Sequence, residues 1–204
     1  MKLRIQPKTR FSAHVEIDGI CRGTLPLRVL LQFYPAEFAG EVGSAEVEDL
    51  LKLLRDQAFN LLVDYLAKAE HSEWQCRNFL KRKNFEDSII EGCLARCREL
   101  NYLNDKRFSE LLVSSYLERR ASKRAIIAKL REQRISETVW GPVLERLYDP
   151  KQASGGLSEL LQKYCLSHRG LPRNKLKEKA FSHLFRKGFE LEDIRAAWES
   201  LDGE

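Results

Sequence analysis

The chain has 204 residues, of which 43% are hydrophobic and 32% charged, which is apolar enough for a core and too charged for a membrane-buried chain. No apolar run approaches the roughly 18–20 residues that cross a bilayer, and the opening Met1-Lys2-Leu3-Arg4-Ile5-Gln6-Pro7 is polar rather than signal-like, so a cytoplasmic protein is expected. The net charge is +5, and the five cysteines (Cys21, Cys76, Cys93, Cys97, Cys165) are odd in number and thinly spread, which fits reduced thiols rather than a disulfide framework.

Residues 1–45 read as a small β-rich element. Phe11, Ala13, Val15 and Ile17 alternate with Ser12, His14 and Glu16, and the run ends at Asp18-Gly19, the dipeptide of a tight hairpin turn. Residues 20–22 begin the returning strand, Gly23 reads as a break, and residues 27–33 form a further apolar segment. An isolated hairpin is marginal in water, so this element should pack on the helical part of the chain or gain a strand from residues 2–6. Its charge is polarised: residues 1–34 carry six basic and two acidic groups, residues 35–60 two basic and six acidic.

After Gly40 and Gly43 the apolar period changes to three and four, through Val47, Leu50, Leu51, Leu54, Phe59, Leu62, Val63 and Leu66, and stays helical to the C-terminus. Ser72-Glu73-Trp74-Gln75 has the form of a capping box, and Asp105, Ser122 and Ser136 precede periodic runs as N-caps. Pro172 suits a first helical turn. Ala153-Ser154-Gly155-Gly156 reads as a flexible joint before the last third of the chain.

This helical part repeats. Shifting Ser72, Leu80, Phe85, Ile89, Cys93, Leu94 and Cys97 by 50 positions lands on Ser122, Leu130, Ile135, Val139, Val143, Leu144 and Leu147, apolar on apolar and Ser on Ser. A further shift of 54 takes Leu130, Ile135, Trp140, Val143 and Leu144 to Leu184, Phe189, Ile194, Ala197 and Trp198. The expected fold is mainly α, an elongated array of three three-helix repeats behind a small N-terminal β-hairpin or sheet. Residues 46–104 would hold a linking helix and the first repeat, residues 105–152 the second and residues 153–204 the third. Asn84, Arg134 and Gly188 stand at the position after a helix where the backbone turns left-handed; Gly and Asn suit it, whereas Arg there costs roughly 1 kcal/mol.

Two basic stretches stand out. Seven basic residues and one acid lie between Arg119 and Arg134, and eight basic residues and one acid between Lys163 and Lys187. Arg119, Arg120, Lys123, Arg124 and Arg131 in the first, and Arg173, Lys175, Lys179, Arg186 and Lys187 in the second, are candidate contacts for a DNA backbone or an acidic partner; the plainer alternative is a solvated helix face. No catalytic residues are expected, since the sequence has no Gly-rich phosphate loop, Gly-x-Ser-x-Gly or His-Glu-x-x-His. Cys93 and Cys97 would share a helical face, but the repeat equates them with Val143 and Leu147, so they read as core, and no metal or cofactor is expected. His14, His71, His168 and His183 show no ligand spacing. The tryptophans and the tyrosines Tyr65, Tyr116 and Tyr164 read as core rather than base-stacking platforms.

The segment Asn101-Tyr102-Leu103-Asn104-Asp105-Lys106-Arg107-Phe108 resembles the Gly-Tyr-Leu-Asn-Asp-x-x-Phe segment of the RecX family. The likeness continues through Tyr116, Arg119, Arg120, Ser122, Ile126, Leu130 and Ile135, then residues 186–189 and Ile194, and covers about residues 58–200. Asn101, Ser122 and Arg134 stand where that family usually has glycine. The resemblance implies a non-enzymatic protein that binds the RecA recombinase and its filament on single-stranded DNA, reducing filament extension, ATP hydrolysis and strand exchange. The alternatives are a sequence-independent DNA-binding protein without a recombinase partner and a helical scaffold for other proteins.

Overall fold

The computed structural model describes residues 1–202. Strand β1 (Lys2–Thr9) pairs antiparallel with β2 (Ser12–Ile17), which turns through Asp18-Gly19 into β3 (Ile20–Pro26); β4 (Phe38–Glu41) joins the other edge of β1, giving the order β3-β2-β1-β4. Asp18 and Gly19 both take positive φ, +50° and +80°, as a type I′ hairpin turn demands. Leu3, Ile5, Ala13, Val15, Ile17 and Leu25 are buried. Phe11 continues the alternation in sequence but lies in the turn before β2 and is 67% exposed. The apolar segment of residues 27–33 begins as a single helical turn, α1 (Leu27–Leu30), and β4, four residues long, carries too short a pattern to be read from sequence.

Gly23 does not break β3. The ladder bulges beside it, so that Arg22 falls between the pairs Glu16–Cys21 and Val15–Gly23. A Cβ on Gly23 would stand 2.7 Å from Cδ1 of Phe85 and 2.8 Å from Cδ2 of Leu54; the missing side chain lets the sheet lie directly on the neighbouring helices. Leu54 belongs to α2 (Ser44–Leu66), and Phe85 to the connection between α3 (Glu73–Arg82) and α4 (Asp87–Glu99). Val47, Leu50, Leu54, Ala58 and Leu62 recur along α2 at helical spacing and join Leu80, Ile90, Leu94 and the sheet residues in one buried core. Cys93 and Cys97 belong to that core. Its chain forms a compact unit, Met1–Asn104.

From Asp105 onward a second unit contains α5 (Asp105–Glu118), α6 (Lys123–Glu132), α7 (Glu137–Leu147), α8 (Pro150–Ser167), α9 (Arg173–Arg186) and α10 (Leu191–Asp202). Val113, Ile126, Leu130, Trp140, Val143 and Leu144 form one of its cores, and Leu157, Leu161, Ala180, Leu184, Ile194 and Trp198 the other. The stretch Ala153–Gly156 is not a joint: it lies within α8, which Asp149 caps by accepting from the Lys151 N–H at 2.9 Å and Pro150 opens. One of its two glycines has a packing reason, since a Cβ on Gly156 would meet Cγ of Arg120 at 3.3 Å.

Several helix ends share their devices. Ser72 caps α3 as a full capping box with Gln75, and Ser122 caps α6 by accepting from the Ala125 N–H at 3.1 Å. Asp105 lies in the first turn of α5 rather than before it, and Pro172 precedes α9. Asn84, Asn101, Arg120, Arg134 and Gly188 all have positive φ just after a helix. In each case the next N–H returns to the helix: Phe85 to the Leu80 carbonyl (3.3 Å), Tyr102 to Cys97 (2.9 Å), Ala121 to Tyr116 (3.0 Å), Ile135 to Leu130 (3.5 Å) and Phe189 to Leu184 (3.2 Å). Arg134 thus adopts the conformation that its side chain disfavours, and Arg120 does the same with no glycine or asparagine to signal it.

Candidate nucleic-acid interface

The charge imbalance resides in the second unit. Residues 1–104 carry 15 basic and 15 acidic groups, and residues 105–204 carry 20 basic against 15 acidic. All ten candidate cations, Arg119, Arg120, Lys123, Arg124, Arg131, Arg173, Lys175, Lys179, Arg186 and Lys187, are exposed.

Four of them, from stretches some sixty residues apart in sequence, meet at one junction. The Ser122 hydroxyl, buried at the N-terminus of α6, donates to the Lys187 carbonyl at the C-terminus of α9 (2.9 Å). Arg124 reaches across the same junction: its guanidinium donates to the Phe185 carbonyl at 3.5 Å and lies 5.3 Å from the Phe185 ring centroid. The close approach depends on Gly188, where a Cβ would stand 2.6 Å from the Ser122 oxygen. Lys123, Arg124, Arg186 and Lys187 therefore form one cationic ridge around the half-exposed Phe185, with Lys123 also 5.6 Å from the Tyr148 ring. Arg186 and Lys187 suit the end of α9, where the helix dipole favours cations.

The remaining candidates are not gathered there. Arg120 turns towards α8 and forms an ion pair with Glu159, so it is engaged within the unit rather than offered outward. Arg119, on the same turn, has no ion-pair partner among the described residues. Arg131 is seven residues beyond Arg124, about 10 Å along α6, and stands 3.7 Å from Glu137. Lys175 and Lys179 are one turn apart on α9, and Lys179 is about 10 Å of helix from Arg186. Arg173 opens α9.

Phe185 escapes the sequence reading, and Tyr164 reads there only as core. Phe185 falls beside Leu184, the buried member of the apolar period, and its exposure among cations has no signal in the pattern. Tyr164 gathers two of the histidines, with ring centroids 4.2 Å from His168 and 4.8 Å from His183. Burial, then Lys187, Arg186 and His168, hold the His183 imidazole below its ordinary value, which marks the net positive field at this end of α9.

The first three-helix domain of RecX matches residues 58–97, which span the second half of α2, α3 and α4. Regulatory protein RecX of Syntrophotalea carbinolica is 31% identical over 143 residues, covering 66% of this chain and 90% of that protein. Regulatory protein RecX of Haemophilus influenzae strain PittGG is 28% identical over 140 residues, covering 67% and 90%. A crystal structure of regulatory protein RecX superposes with a TM-score of 0.68 at 18% identity, over 97% of this chain and 99% of that one. With the fold shared end to end and a relative matched over nine-tenths of its length, the chain belongs to the RecX family of regulatory proteins.

Proposed function

We propose that the chain is a non-enzymatic regulator of the RecA recombinase in DNA repair and recombination, binding RecA and its filament on single-stranded DNA and lowering ATP hydrolysis, filament extension and strand exchange. The observation that carries the reading is the ridge at the α6–α9 junction, where Lys123 and Arg124 meet Arg186 and Lys187 across the Ser122–Lys187 bond. Four point-like and forked donors around an exposed aromatic ring suit phosphate oxygens with a base or apolar contact between them. In this mechanism the helical array lies along the filament with its ridge on the DNA backbone, and it hinders protomer addition and the conformational cycle of hydrolysis. Arg119, Arg173, Lys175 and Lys179 extend the cationic surface, while Arg120 and Arg131 serve the unit's own ion pairs.

The test is the single-strand-DNA-stimulated ATPase rate of RecA with increasing amounts of the protein. The rate should fall. Capping of filament ends requires far less than one molecule per recombinase protomer, and filling of the groove requires nearly stoichiometric amounts. No effect at excess, with filament binding also undetectable, overturns the proposal. A pull-down with and without nuclease separates RecA contact from DNA tethering.

A further inference from the structure

The first unit holds a groove of about 750 Å³ formed by the β1–β2 turn, the end of β3, α1, α2 and the α3–α4 connection. Its volume lies within the range of sites that bury most of a ligand. Leu25, Leu27, Leu61 and Phe85 supply its floor, and Phe11 and Leu31 stand at its mouth, 67% and 57% exposed. Lys8, Arg10, Arg28 and Lys83 line it, and no Asp or Glu does. None of the four is ion-paired among the described residues: Lys8 donates to Oδ1 of Asn84 (2.6 Å), Arg10 lies 4.5 Å from the Phe11 ring centroid and Lys83 5.7 Å from that of Phe79. An apolar cleft with uncompensated cations around it is a surface awaiting a complement.

We propose that this groove docks an acidic amphipathic segment of a partner protein, its apolar side chains on the leucine-lined floor and its carboxylates on Arg10, Arg28 and the flanking lysines. Charge complementarity selects this occupant, since every ionised group of the lining is positive. Single-stranded nucleic acid fits less well because it needs aromatic faces in series. The lining offers two rings, of which Phe85 is buried and Phe11 has the Arg10 guanidinium over one face. This surface is in the other unit from the α6–α9 ridge and does not depend on the function proposed above.

The experiment measures fluorescence anisotropy of a labelled synthetic peptide alternating Asp or Glu with Leu and Phe, titrated with the full chain. Saturable binding is expected, weakened at least about tenfold by R10E/R28E and by F11S/L31S and unchanged by R186E/K187E. The same peptide with Ser for Leu and Phe should bind at least about tenfold more weakly. All the substituted side chains are exposed, and far-UV circular dichroism checks the fold; should a double variant unfold, R28E and L31S singly decide. Equal binding by both variants, equal binding of the serine peptide, or displacement of the peptide by oligothymidylate overturns the proposal, the last in favour of nucleic acid.

Discussion

Gly188 is the position on which the α6–α9 junction turns. Its φ of +91° disfavours any side chain, at a cost of about 1–2 kcal/mol for alanine. A Cβ would also stand 2.6 Å from the Ser122 oxygen, so that hydroxyl must abandon its bonds to the Lys187 carbonyl and the Ala125 N–H, each contributing about 1 kcal/mol. Gly188→Ala should therefore destabilise the second unit by about 2–4 kcal/mol. In a Ser122→Ala background the obstructing oxygen is gone, and the nearest remaining atoms, the Ala125 nitrogen and the Arg124 Cβ, are at an ordinary 3.5 Å. Only the backbone cost should remain there, giving a coupling of about 1–2 kcal/mol between the two sites. Urea unfolding followed by tryptophan fluorescence in a Trp74→Phe background reports this unit alone, through Trp140 and Trp198. An equal cost of Gly188→Ala in both backgrounds would refute the steric account.

Reversing Lys123, Arg124, Arg186 and Lys187 to Glu should abolish most filament binding and lower the salt slope on single-stranded DNA by roughly 0.7 per lost phosphate contact, whereas Arg120→Glu should change it little; salt titration of binding checks both. Arg134→Gly should stabilise the chain by up to about 1 kcal/mol in urea unfolding, because its φ is +55°. Burial, then the neighbouring Cys97, pushes the Cys93 thiol up to about 11, so iodoacetamide near neutral pH should modify exposed Cys21 well before Cys93, as read by peptide mass spectrometry. The His183 imidazole should titrate below its ordinary 6.5 in an NMR pH series. The unfolded chain then binds that proton at higher pH than the folded one, so His183 makes stability fall as pH drops below about 6.5.

The helices and the repeat were legible because each apolar position is reused: the period that names Leu80, Leu130 and Leu184 as core also ends each helix at a left-handed residue. The sheet was legible where alternation and Asp18-Gly19 agreed. It was not legible at β4, whose four residues are ordered by pairing with β1 rather than by their own pattern. The Gly155-Gly156 pair misled because both lie inside α8: the Arg120 side chain lies close to where a Cβ of Gly156 would stand, whereas Gly155 faces open space and has no packing reason. Sequence also located the cations without their grouping: nothing in the spacing of Lys123 and Lys187 foretells the hydrogen bond that brings their helix ends together.

Helix starts give an independent argument for where the proposed anion contact belongs. Acids occupy the first turns of α2 (Glu46), α3 (Glu73), α4 (Asp87), α5 (Asp105), α7 (Glu137) and α10 (Glu192, Asp193), as the positive end of a helix dipole favours. Of the remaining helices, α1 is a single turn without an acid and α8 has its acid at the N-cap, Asp149, whereas α6 and α9 have no acid in the first turn or at the cap, where Ser122 and Pro172 stand. A shift of 50 carries Glu73, the first residue of α3, to Lys123, the first residue of α6, so the sign is reversed at one equivalent position of the repeat, and α9 likewise opens on a cation, Arg173. A cation there costs roughly 0.3–1 kcal/mol. On α6 it also stands beside Arg124, whose like charge adds to the cost. A local rule kept by most helices of the chain and broken by these two is the pattern of a surface arranged for something other than stability. A phosphate seated at the start of α6 would meet the dipole, the exposed N–H groups and Lys123 together, turning the unfavourable placement into part of the binding energy.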